Sequence, residues 1–150
     1  MQYLPRPDSC MNCNEEIVET DLLSSTSQLG YPLCIDCHHE LAPKVKKSTR
    51  EALRLYFSLR RRGISAELEK FDGFKTVDIA IKDARLNIEL ESRKPHYNPY
   101  EAIADLERDC LSFKKGYNTI RIPKELVAYD LEKTTHYLHY FVNVNRRTFF

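Results

Sequence analysis

No apolar run in the 150 residues approaches the roughly 20 needed to cross a bilayer, and the first eight, MQYLPRPD, hold no apolar signal-peptide core. These absences predict a cytoplasmic chain with no membrane partner. Glycine is scarce as well: four glycines do not furnish a Gly-rich phosphate loop, and no small-molecule cofactor motif is present. A strong net charge is also missing, since +1 is far from the basic balance common in nucleic-acid-binding domains. The basic residues are nevertheless grouped, at Lys44, Lys46, Lys47 and Arg50, at Arg60, Arg61 and Arg62, at Arg93 and Lys94, and at Arg146 and Arg147. Such runs ordinarily form solvated faces. Repeats and low-complexity segments are absent. With 42% hydrophobic and 30% charged residues, what remains is one globular domain, or a compact domain with a small appendage.

The sharpest signal present is cysteine spacing. Cys10-x-x-Cys13 and Cys34-x-x-Cys37 are two matched pairs 20 residues apart, and the polar stretch between them is too poor in apolar residues to build a core. Four thiolates at this spacing suit a closed tetrahedral Zn²⁺ site, in which the metal supplies the folding energy. Two disulfides are the competing use, disfavoured in a cytoplasmic chain. Residues 1–42 therefore read as a Cys₄ zinc ribbon whose zinc is structural, a module that docks onto nucleic acid or a protein. Ala42 to Lys47 reads as its link to a second domain, 43–150. The fifth cysteine, Cys110, falls in a helix and reads as a core residue.

The second signal is Phe74 to Glu91, FKTVDIAIKDARLNIELE, which alternates with the two-residue period of half-buried strands. A turn over Asp83 and Ala84 pairs Ile81 with Leu86, and the register then sets Asp78 opposite Glu89. Like charges directly opposed are destabilising unless a cation lies between them, and Mg²⁺ takes carboxylate oxygens. The bland alternative is a solvated polar face. Around this hairpin, Ser48-Thr-Arg-Glu51 predicts a capping box opening a helix that ends at Gly63, so Glu51 is either a cap or an acid supporting the Asp78 site. Ile64 to Phe71 reads as a strand joined through Asp72-Gly73 to the hairpin. Asn98-Pro99-Tyr100-Glu101 starts a helix with Ile103, Leu106, Cys110 and Phe113 on one face, and Tyr117 to Ile122 is a further strand. The tail predicts a short helix at KELVA and a longer one from near Asp130. His136 and His139 on the latter read as surface or packing residues.

This order of elements resembles the restriction-endonuclease-like fold of the PD-(D/E)xK nucleases. Within it, the residues are most similar to the very-short-patch-repair endonuclease-like branch: Val77-Asp78-Ile79, Ile88-Glu89-Leu90-Glu91-Ser92, His96, Asp105 to Arg108-Asp109 with Leu111, Gly116-Tyr117, and Ile120-Arg121. The resemblance spans about residues 48 to 145 and implies an α/β fold, an αβββαβα core with a mixed sheet. It implies Asp78 and Glu89 as ligands of a catalytic Mg²⁺ or Mn²⁺, with Glu91 and Glu51 beside them. His96 or Lys94 would act as general acid/base or hold phosphate, Arg108 and Arg121 would be structural or touch the backbone, and DNA would be the substrate. The chain departs from the pattern where Glu91 stands at the position of the lysine and Ser92 at that of a glycine. The competing implication is a catalytically inactive nuclease-fold and zinc-ribbon module that binds nucleic acid or a protein partner. A protein partner would dock on the zinc ribbon or on a C-terminal aromatic region of Tyr137, Tyr140, Phe149 and Phe150.

Overall fold

The computed structural model describes residues 8–92 and 98–149. Its centre is a four-stranded sheet in the order β1 (Ala66–Phe71), β2 (Thr76–Ile81), β3 (Leu86–Glu91) and β4 (Asn118–Pro123). The first three strands form an antiparallel meander and β4 joins β3 in parallel, so the sheet is mixed. The expected pairing of Ile81 with Leu86 is present. The turn between them is a short 3₁₀ segment, Lys82–Ala84, closed by Arg85 in the left-handed region at φ 48°. The parallel pairing requires a crossover, supplied by helix α4 (Pro99–Lys114). Asn98 caps α4, its side-chain oxygen accepting from the N–H groups of Tyr100 at 3.0 Å and Glu101 at 3.3 Å.

Alternation gives the sheet two different faces. Val77, Ile79, Ile81, Leu86 and Ile88 are fully buried on one face. Packed near that face are α3 (Arg50–Arg61), which buries Leu55, Phe57 and Leu59, and the tail helices α5 (Lys124–Tyr129) and α6 (Leu131–Phe149). Ser58 and Thr135 hydrogen-bond at 2.8 Å where α3 meets α6. Phe57 is 1% exposed, so Phe57→Ala is expected to destabilise the fold by about 3–5 kcal/mol, read as a lowered urea midpoint. An unchanged midpoint would mean that α3 does not hold the core together.

The structure corrects several local expectations. Helix α3 is capped by Thr49, whose hydroxyl accepts from Ala52 N–H at 3.2 Å. Ser48 instead donates to Lys44 O and to Glu69, so Glu51 completes no box around it. The expected linker at Ala42 to Lys47 is mostly the end of α2 (Ile35–Val45), and α1 (Glu19–Leu29) occupies the stretch between the cysteine pairs. Among the described residues this N-terminal part has helices and one isolated bridge, Ser9 to Glu16, where a ribbon would carry paired strands. Cys110 is exposed, as are Ile103, Leu106 and Phe113. The reason is that α4 docks by its polar side: Ser112 donates to Asp72 at 2.7 Å, and Asp109 pairs with Arg121 and Lys75.

Candidate functional site

Two sites emerge from this frame. At the first, the metal-ligating sulfurs of Cys10, Cys13, Cys34 and Cys37 all lie within 4.8 Å of one another, and none forms a disulfide. Tetrahedral zinc with Zn–S bonds near 2.3 Å places sulfurs roughly 3.8 Å apart. The Cys13 to Cys34 separation is 3.7 Å. Burial pushes the Cys10 thiol up, but backbone N–H groups of Cys13, Cys34 and Asn12 outweigh it and bring the group below its ordinary value. Burial pushes Cys37 strongly up despite the Asn12 amide, which donates to its sulfur at 3.2 Å. The donor set, its spacing and its half-buried position are those of a structural zinc site.

At the second site, on the polar sheet face, the strand register builds a row. Leu68 pairs with Ile79 and Lys70 with Val77, which sets Glu69 of β1 opposite Asp78 of β2. The β2–β3 ladder ends at Ile79 with Ile88, one step short of Asp78 and Glu89. There Asp78 Oδ2 accepts from Leu90 N–H at 2.7 Å, so the carboxylate takes over the ladder's role as the strands part. Glu89 in turn pairs in register with Arg121 of β4. Three acids and an arginine thus cross the sheet side by side.

The electrostatics of the row are uneven. Burial raises Glu89 above the usual glutamate range, and Asp78 adds to this while Lys75 opposes it. Lys75 Nζ stands 3.2 Å from Glu89 Oε1, a buried oxygen that meets no other donor among the described residues. The same ammonium reaches Asp109 at 3.1 Å. Glu91 is exposed and engaged by Arg121 at 3.1 Å. Arg108 pairs with Asp105 on the outer surface of α4. No hydrogen bond or ion pair joins Glu51 to Asp78 or Glu89 among the described residues, and Lys94 and His96 lie outside those residues. His136 and His139 belong to no metal-ligating cluster among the described residues.

Two members of this site escaped sequence reading. Glu69 reads in sequence as one more polar position of a strand. In the structure it sits at φ 49°, unusual for a non-glycine, accepts from Ser48 at 3.2 Å, and is raised by burial and by Asp78. Lys75 lies three residues before Asp78 in the stretch that reads in sequence as the start of a strand, whereas β2 begins only at Thr76; its only signal was a cation close to an acid. It is held by the turn itself, where Asp72 accepts from Lys75 N–H at 2.9 Å.

The Asp109 cluster makes a pH prediction. Burial acts against the Asp109 carboxylate, but hydrogen bonds from Arg121 and Lys75 outweigh it and hold the group below its ordinary value. A carboxyl depressed on folding contributes stability that is present above its unfolded pKa and lost as pH falls through its folded one. Asp109→Asn is therefore expected to cost roughly 1–3 kcal/mol at pH 7 and to flatten the acid side of the stability curve below the ordinary aspartate range. Urea titrations at pH 7 and in acid check this; parallel curves for both proteins would refute it.

No protein-family model matches the sequence, and no curated protein does. Among solved structures, the fold is similar to the catalytic domain of homing endonuclease I-Bth0305I, with a TM-score of 0.52 and 18% identity over 65% of this chain and 98% of that domain. The likeness shows an endonuclease-like α/β core around the mixed sheet. Among the described residues no helix is long and apolar enough to cross a membrane.

Proposed function

We propose that the chain is a metal-dependent nuclease that hydrolyses DNA phosphodiester bonds, its cysteine module assisting nucleic-acid or partner binding. The observation that carries this reading is the Asp78–Glu89 pair on adjoining strands, with Glu89 Oε1 buried and met by the Lys75 ammonium at 3.2 Å. Mg²⁺ is typically held by one or two carboxylates together with substrate phosphates, which fits two acids better than a closed cage would. Asp78 and Glu89 would hold Mg²⁺ or Mn²⁺, which supplies polarisation of the scissile phosphate and a more acidic attacking water. Lys75, fixed between Glu89 and Asp109, presents a positive charge to the phosphate. Arg121 orders Glu91 and Asp109 beside it. Glu69 and Glu51 are supporting acids, and Lys94 or His96 supplies the general acid/base or a phosphate contact. The likeness to an endonuclease domain supports the same reading.

One observation favours a second reading, binding without cleavage. Glu89 and Glu91 each face a cation of the chain itself, and no third carboxylate joins Asp78 and Glu89 in a ligating cluster among the described residues. The deciding assay is cleavage of supercoiled plasmid and single-stranded DNA by zinc-loaded protein with Mg²⁺, with Mn²⁺, and with neither. Omission of the metal is used because a chelator would also attack the cysteine site. Cutting that needs the added metal and disappears in Glu89→Ala supports the nuclease. A folded wild type inert on both substrates leaves the binding module.

A further inference from the structure

Two residues along the strands from the acid row, on the same face, lies a second row, in which Glu67 pairs with Ala80, Ala80 with Asn87 and Asn87 with Thr119. Its middle is unusual. Asn87 is 1% exposed, and its amide nitrogen has no hydrogen-bond partner. An amide buried without a partner is costly, and an apolar side chain would fill such a strand position without that cost. Next to it, Ala80 is too small to fill the space on its strand, and Asn87 and Ala80 line a cavity of about 200 Å³. Phe71 and Tyr117 supply aromatic walls, and Lys82 and Lys115 bring positive charge. Lys115 is anchored to Asp72 O at 3.3 Å and over the Phe74 ring, whereas Lys82 is exposed.

We infer that this cavity receives a single unstacked nucleobase of the bound strand, with Asn87 as the residue that reads its edge. The inference rests on the nuclease reading above and deepens it. An unpaired amide donor calls for a ligand with an acceptor, two aromatic side chains call for a flat ring, and the lysines call for an attached anion. A nucleotide has all three, and enzymes that take a base out of the stack hold it by hydrogen bonds to its edge and by stacking. Placement agrees with chemistry. Asn87 and Glu89 are two residues apart on one strand face, roughly 7 Å. A base held at Asn87 therefore leaves its sugar to span the gap and its phosphate at the Asp78–Glu89 row. Two acids also line the cavity, Glu67, held by Lys70 at 2.9 Å, and Asp72, whose carboxylate accepts from Ser112 at 2.7 Å.

The test uses the full zinc-loaded chain without Mg²⁺, titrated separately with the four deoxynucleoside 5′-monophosphates and with deoxyribose 5-phosphate. The side-chain ¹⁵N–H₂ signals of Asn87 are followed by NMR. At least one nucleotide is expected to move those signals and to bind at least tenfold more tightly than the base-free sugar phosphate. Asn87→Leu is expected to remove the difference. Equal affinity for nucleotide and sugar phosphate, or Asn87 signals unmoved at saturation, would overturn the pocket, and both are read on the wild type even if the variant fails to fold. The cleavage assay stands apart: base-dependent binding by an inert protein drops the nuclease and keeps the pocket, and base-independent binding by an active one does the reverse.

Discussion

Removing zinc from the four-cysteine site is expected to destabilise the whole chain and not only its first forty residues. The cysteines do not hang outside the fold: Cys10, Leu33, Cys37 and Leu41 belong to the same buried cluster as Leu53, Phe57 and Ile64. Asn12, between Cys10 and Cys13, accepts from the Tyr56 hydroxyl, and its carbonyl accepts from Arg60 Nε at 3.1 Å. Tyr31 packs on Phe57 with ring centroids 4.7 Å apart. Zinc contributes on the order of 10 kcal/mol to the folding of small cysteine modules, comparable to the total stability of an ordinary domain. If only a few kcal/mol of this reaches α3, the apo protein should melt at least about 10 °C lower. Calorimetry of zinc-loaded and stripped protein checks the effect, with metal analysis expected to give one zinc per chain. Cys37→Ser, which removes a buried ligand, should reproduce it. A stripped protein that melts within a degree or two of the loaded one would rule out a structural role, and two separate transitions would show that the module folds on its own.

How much of this was legible in the sequence depended on how local each cause is. The four-cysteine cluster was legible because Cys-x-x-Cys spacing is a property of a single turn. The central hairpin was legible because alternation and a four-residue connection fix register without help from the rest of the chain, and Ile81 does pair with Leu86. The cap of α4 depended only on Asn98 and the next three residues. What failed was non-local. Ser48 would cap α3 in isolation, but Glu69 from β1 and Lys44 from α2 claim its hydroxyl, and Thr49 takes over. The apolar stripe of α4 pointed to a buried face, yet Asp109 and Ser112 find partners on the sheet that turn the helix the other way. Glu69 and Lys75 join the candidate site through strand order and turn geometry, neither of which a one-dimensional pattern of polar residues contains. The unpaired amide of Asn87 is likewise visible only once its neighbours are in place.

The second large effect expected is the loss of cleavage in Asp78→Asn, and the choice of asparagine matters. Asp78 does two things: one carboxylate oxygen accepts from Leu90 N–H, and the charge faces Glu89. Asp78→Ala would remove both and leave Leu90 N–H without its partner, a penalty of about 1–3 kcal/mol that confuses lost folding with lost chemistry. Asparagine keeps an acceptor for Leu90 and removes only the charge. In the nuclease reading the rate should fall at least about 100-fold, more than the 10- to 100-fold typical of residues that merely support a metal ligand. The effect on Glu89 runs the opposite way. Burial and the Asp78 charge both raise Glu89, so neutralising Asp78 should lower the pH at which Glu89 ionises, while Lys75 remains to favour its charged form. Stability follows from the sign: a carboxyl raised on folding favours the fold below its unfolded pKa and loses that contribution as pH rises through its folded one. With Glu89 less strained in its charged form, Asp78→Asn should be at least as stable as the wild type at pH 7 while being inactive. Melting curves and plasmid cleavage on the same preparation measure both. Undiminished cutting by a folded Asp78→Asn would remove the acid pair from the chemistry, and a less stable Asp78→Asn would mean that the Asp78 charge holds the strands together rather than waiting for a cation.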